Sequence, residues 1–112
     1  MNASPNIDCT VQELAEKLAE KQDFVLLDVR TDEELAIAKI GEPTHIVLDQ
    51  LPNRLDELEH ARAREIVVMC HHGGRSAMAR DFMLDNGFTH VRNLAGGIDA
   101  YSASVDPSLP RY

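Results

Sequence analysis

Residues 65–76 read Glu-Ile-Val-Val-Met-Cys-His-His-Gly-Gly-Arg-Ser. The apolar run ending at Met69 is too short for a helix and has the length of a strand buried on both faces. Cys70 leaves it, Gly73 and Gly74 turn the chain, and Ser76 is placed to cap a helix through Met83 and Leu84, stopped by Asn86-Gly87. A buried strand, a glycine turn and a helix in immediate succession form the repeating unit of a parallel α/β sheet.

The same alternation extends in both directions. Upstream, Thr10-Val-Gln-Glu13 is a capping box, and Val11, Leu14, Ala15 and Leu18 recur at helical spacing, which predicts a helix from about Val11 to Lys21. Phe24 to Val29 is a second buried strand. Thr31-Asp-Glu-Glu34 is another capping box, opening a short helix that ends near Gly41. His45 to Leu48 reads as a brief strand, and Pro52 suits the first turn of a helix bearing Leu51, Leu55 and Leu58. Downstream, Val91 to Leu94 is a last short strand, Gly96-Gly97 turns into a helix around Asp99 to Ala103, and Val105 to Tyr112 is expected to lie over the surface. The fold class predicted is α/β: a mostly parallel central sheet flanked by helices on both faces.

The 112 residues suffice for one core, so residues 1–112 are taken as a single domain, with 1–5 disordered or loosely attached. The hydrophobic fraction of 44% and charged fraction of 27% are those of a globular protein. A net charge of -8 argues against nucleic acid as partner. No apolar run approaches the ~20 residues of a membrane span. No secretory signal is visible in MNASPNIDCT, which points to a cytoplasmic setting with Cys9 and Cys70 both as free thiols. Cys9 is read as a small packed or surface residue. A monomer is favoured.

In a parallel sheet, ligands bind where strands end and helices begin, and residues 70–76 occupy that place. Gly73 and Gly74 let successive backbone N–H groups converge on one point. A helix N-terminus and Arg75 add positive charge there, and each favours the thiolate of Cys70 over the thiol. The same cradle would hold an anion against the sulfur. Taken singly, every feature has a plainer reading: packing for Cys70, a turn for the glycines, a solvated side chain for Arg75. Together they favour a nucleophilic sulfur facing an anionic substrate. A metal site is disfavoured, because Cys70, His71 and His72 are adjacent, point apart and lack metal-ligand spacing. No cofactor is implied. His71 and His72 are assigned to the loop, with either imidazole available to a substrate, while His45, His60 and His90 default to surface or core.

The stretch Cys-His-His-Gly-Gly-Arg-Ser resembles the Cys-x-x-Gly-x-Arg-Ser loop of the rhodanese-like sulfurtransferases. Asp28-Val29-Arg30, Glu34-Leu35, Asn93-Leu94-Ala95-Gly96-Gly97-Ile98 and the Pro110-Arg111-Tyr112 ending are similar to further marks of the small bacterial members, in the same order. The resemblance implies a persulfide mechanism. Cys70 would take the outer sulfur of a donor such as thiosulfate and pass it to cyanide, a thiol or a sulfur carrier. It further implies that Asp28 and Arg30 brace the fold near the site, with an Arg30–Glu34 pair expected. The histidine of the family's Gly-His-Ile segment is missing from Ala38-Lys39-Ile40, the Pro that often ends the next strand is absent from Ile46-Val47-Leu48-Asp49, and Tyr101 replaces the usual Trp. Lys39 is read as a solvated charge, or else as an added attraction for anions.

Two rivals remain. Cysteine-dependent phosphatases place five residues between Cys and Arg, whereas four intervene here, which suits a sulfur atom better than a phosphate. A persulfide relay or a regulatory binding module for a partner protein is the other.

Overall fold

A computed structural model describes residues 7–112; the expectation for residues 1–5 lies outside the described residues. Five parallel strands form one sheet in the order β1-β5-β4-β2-β3. They are β1 (Asp8–Cys9), β2 (Val25–Asp28), β3 (Thr44–His45), β4 (Ile66–Met69) and β5 (Val91–Leu94). The helices are α1 (Val11–Ala19), α2 (Asp32–Ile37), α3 (Leu51–Arg54), α4 (Gly74–Asp85) and α5 (Gly97–Ser104).

The strand period of two divides the core. Val25, Leu27 and Val29 in and after β2, with Ile66, Val68 and Cys70 in and after β4, face one side, packing on Leu51, Leu58, Ala79 and Met83. Leu26, Val67 and Met69 face the other, against Leu14 of α1 and Ile98 and Tyr101 of α5. Full burial of each large side chain contributes about 1.5–3 kcal/mol, and burial on both faces explains why these strands carry no polar alternation.

Both predicted capping boxes form. Thr10 Oγ1 accepts from Glu13 N at 3.0 Å and Thr31 Oγ1 from Glu34 N at 3.2 Å, with both glutamates accepting from the cap N–H in return. Several boundaries differ from expectation. α1 stops at Ala19 because Lys21 turns left-handed at φ 54°. α2 stops at Ile37, short of Gly41, where Ala38 becomes extended. The strand expected over His45–Leu48 is confined to Thr44–His45, since Leu48–Gln50 already coils into a 3-10 turn leading to α3. The helix expected through Leu58 ends at Arg54 and continues as 3-10 turns over Leu55–Ala61. β1 was not expected; Asp8 pairs with Asn93 and Cys9 with Leu94, and of the two readings of Cys9 the packed one holds.

Among the described residues no helix is long and apolar enough to cross a membrane. The fold matters for function because β4 is central. The C-terminal ends of β2, β4 and β5 lie side by side, so the loops leaving these three strands meet at one place.

Candidate active site

Cys70 directly follows β4, with 1% of its surface exposed. The loop then closes on its own sulfur. Gly73 N donates to Cys70 Sγ at 3.1 Å and Ser76 N at 3.3 Å, while Ser76 Oγ lies 3.2 Å away. Gly73 makes this possible with φ 109°, a left-handed conformation that costs glycine nothing. It also occupies the cap position of α4, whose first residue is Gly74. Ser76 therefore does not cap the helix, contrary to the sequence expectation. It sits inside the first turn, fully buried, with its hydroxyl donating to Asn93 Oδ1 at 2.5 Å.

The opposite side of the loop is held by α5. Ile98 N donates to Cys70 O at 2.9 Å and Asp99 N to His71 O at 3.0 Å. Gly97 allows this approach: a Cβ there would stand 2.5 Å from Cys70 O and clash with the His71 carbonyl as well.

Around the loop stand two ion pairs. Asp28 and Arg30 are fully buried, with Arg30 Nη2 2.7 Å from Asp28 Oδ2 and Arg30 Nε 3.0 Å from Oδ1. Arg30 also donates to Ala38 O at 2.7 Å. Burial works against the Arg30 charge, and its hydrogen bonds to Asp28 and Tyr112 more than restore it. The expected Arg30–Glu34 pair is not an ion pair: Arg30 Nη1 reaches the backbone carbonyl of Glu34 at 3.2 Å. Burial commits Arg30 to the carboxylate two residues before it, which leaves the Glu34 carboxylate to Arg75. Arg75 Nη1 donates to Oε1 at 2.6 Å and Nη2 to Oε2 at 2.9 Å. These bonds hold the Glu34 carboxyl well below the usual carboxylate range despite its burial, with Tyr112 and Thr31 assisting, and they raise Arg75 in return. The Arg75 fork is thus directed at Glu34, not free over the sulfur.

The segment after α5 lies over the surface, as expected, and its Tyr112 reaches the site. The Tyr112 hydroxyl donates to Glu34 Oε2 at 2.7 Å and accepts from Arg30 Nη1 at 3.0 Å. The Tyr112 ring stacks on His71 with centroids 3.9 Å apart and planes within 7°. His72 leans on His71 and is mostly exposed, 3.8 Å from Asp99. His45 bonds the Arg30 carbonyl at 2.7 Å, and Lys39 is half exposed beside Glu42 at 3.4 Å.

Sequence reasoning gave Asn93 and Tyr112 no role in the site. Asn93 had a faint signal, three residues before the Gly96-Gly97 pair; Tyr112 had none beyond a resemblance of the ending. Among the described residues no group of three or more His, Cys, Asp or Glu side chains could hold a metal ion. Cys9 lies in the other core, its thiol pushed up to about 11 by burial against the partial opposition of Arg92.

A buried cysteine just past a central strand, met by two amide donors and a hydroxyl oxygen beneath a helix start, defines a cysteine-loop α/β domain. Comparison with known proteins makes the class specific. The rhodanese-like domain model matches residues 10–104, and the chain belongs to that family. A protein named sulfurtransferase from Allochromatium vinosum is 32% identical over 91 residues, which cover 81% of this chain and 83% of that protein. The adenylyltransferase and sulfurtransferase MOCS3 of Arabidopsis thaliana is 30% identical over 115 residues, and although 90% of this chain is matched, it spans only 25% of that protein's length. Among solved structures, a rhodanese-like domain protein from Staphylococcus aureus superposes with a TM-score of 0.79 at 30% identity, covering 94% of this chain and 97% of its own.

Proposed function

We propose that this chain is a thiosulfate sulfurtransferase that works through a persulfide on Cys70. The observation that carries the proposal is the convergence of Gly73 N, Ser76 N and Ser76 Oγ on a single sulfur at the strand end. In the first half-reaction the Cys70 thiolate attacks the outer sulfur of thiosulfate. A Cys70 S–S bond forms, the donor's S–S bond breaks, and sulfite leaves with the electron pair. In the second, cyanide, a thiol or a sulfur-carrier acceptor attacks the outer sulfur of the persulfide and returns the Cys70 thiolate. Gly73, Gly74 and the α4 N-terminus shape the cradle for both steps, and its N–H groups stabilise charge on the transferring sulfur. His71 and His72 form the rim. Arg75, although paired, contributes positive charge to the donor's approach, and Asp28, Arg30 and Glu34 brace the loop from the β2 side. The family membership and the relatives named as sulfurtransferases support this reading.

A second reading is a relay that exchanges sulfur between partner proteins. It is favoured by the Arabidopsis relative, in which the matching stretch is a quarter of a protein named for two activities.

One experiment separates the two. The reduced protein is incubated with thiosulfate, freed of donor and weighed intact. A gain of one sulfur atom, absent from Cys70→Ser and discharged by cyanide, supports the enzyme. No gain in a folded protein, with loading from a protein persulfide instead, supports the relay. Loading retained in Cys70→Ser would sink both.

A further inference from the structure

We propose that Tyr112 is a positioning residue of this site: its hydroxyl shares the Glu34 carboxylate with Arg75, and its ring seats His71. The hydroxyl joins two ion pairs that otherwise do not touch through their carboxylates. It accepts from Arg30 Nη1 at 3.0 Å and donates to Glu34 Oε2 at 2.7 Å, the same oxygen that takes Arg75 Nη2 at 2.9 Å. Glu34 Oε1 meanwhile accepts from Arg75 Nη1 at 2.6 Å and from Thr31 N at 3.2 Å. Both carboxylate oxygens are thereby occupied by more than one donor.

The electrostatic consequence has a definite sign. With the phenol in place, part of the Glu34 charge is taken up by a neutral donor that Arg30 itself polarises. Arg75 then compensates less of Glu34 and leaves more positive potential at the loop. Without the hydroxyl, the whole carboxylate bears on Arg75, and the approach to Cys70 becomes less favourable to anions. The ring acts separately. It lies flat on His71, the residue directly after Cys70, with centroids 3.9 Å apart. The neighbouring Arg111 is bonded to both oxygens of Asp99, at 3.0 and 3.1 Å, and Asp99 N holds the His71 carbonyl. The segment after α5 thus touches the loop through a ring on one side and through α5 on the other.

The inference deepens the proposed sulfur transfer and rests on Cys70 being the reactive thiol, but its test needs no turnover. Second-order rates of Cys70 alkylation are measured by peptide mass spectrometry with iodoacetate, an anion, and iodoacetamide, its neutral counterpart, in the unsubstituted protein, Tyr112→Phe and Tyr112→Leu. Tyr112→Phe keeps the ring and removes one oxygen from a partly exposed residue, so the fold is not at stake. The expected result is a fall of about threefold in the iodoacetate-to-iodoacetamide rate ratio, with the iodoacetamide rate held within about 1.5-fold, the scale of one partly exposed charge contact. Tyr112→Leu should lower the same ratio and also change the iodoacetamide rate, because His71 loses its seat. An unchanged ratio in Tyr112→Phe overturns the proposal, as does an equal proportional change for both reagents in both variants, which is the mark of a merely structural role. If the unsubstituted protein alkylates normally but takes no sulfur from thiosulfate, the thiosulfate reading fails and the ratio still decides Tyr112. If Cys70 resists both reagents, the site is closed to small anions and both fall.

Discussion

Glu34 and Arg75, 41 positions apart, meet in a two-pronged ion pair that ties α2 to the first turn of α4. The geometry matches the planar fork of a guanidinium to the two oxygens of a carboxylate, which a lysine could not reproduce. It also means that the cation beside the cysteine loop acts from a fixed position.

Removing that cation should weaken use of an anionic donor. Arg75→Ala is expected to lower kcat/KM for thiosulfate on the order of tenfold, the scale of one hydrogen-bonded charge contact, mainly through KM. Steady-state kinetics with cyanide as acceptor decide the matter, and unaltered KM would place Arg75 beyond the donor's reach.

Glu34 should make stability depend on pH in one direction. Its folded carboxyl is held low by Arg75, so its contribution is fully present above the unfolded carboxyl range and is lost as pH falls toward the depressed folded value. Glu34→Gln is therefore expected to be less stable by about 1–2 kcal/mol at neutral pH, a figure discounted for the solvent reaching Arg75, with the gap narrowing below about pH 4.5. Urea unfolding from pH 7 to pH 3 tests this; a gap independent of pH would refute the ionic account.

Gly97 should tolerate no side chain. Its φ is 62°, and an added methyl would stand 2.5 Å from the Cys70 carbonyl oxygen, a backbone atom that cannot rotate aside. Gly97→Ala is expected to cost about 2 kcal/mol or more and to slow sulfur loading of Cys70. A methyl added at Gly74 would meet nothing within 4 Å, so Gly74→Ala should change stability by less than about 0.5 kcal/mol. Equal losses from the two substitutions would contradict the steric argument.

A charge network centred on buried Arg92 holds α1, β1 and β5 together. Arg92, 4% exposed, donates to Glu13 Oε2 at 2.8 Å, to Asp8 O at 2.8 Å and to Glu65 Oε2 at 3.1 Å. Arg92→Leu should cost about 2–4 kcal/mol, moderated because Glu65 keeps Lys17 at 2.6 Å. Chemical denaturation measures it, and a neutral outcome would mean that the leucine's packing offsets the lost network.

The legible parts of this molecule were the local ones. A four-residue apolar strand, two glycines and a serine announced the Cys70 loop, and Thr10 and Thr31 announced two helix starts, because each signal lies within a few residues of the structure it controls. The failures were long-range or competitive. The family resemblance led to an expected Arg30–Glu34 pair, but a guanidinium with no exposed surface takes the nearest carboxylate that can grip it twice, and that is Asp28. Ser76 looked like a cap, yet Gly73 already occupied the turn. β1 is two residues whose only warrant is their partner in β5, and Tyr112 reaches Glu34 across 78 positions, a distance at which a single sequence carries no pattern.

The two hydrogen bonds from α5 to the carbonyls of Cys70 and His71 fix the peptide planes of the loop. With the carbonyls turned to α5, the loop is pre-organised: folding has already met the entropic penalty of aligning its donors. For the proposed sulfur transfer this would mean selection by curvature: a bulky oxyanion would first have to detach the loop from α5.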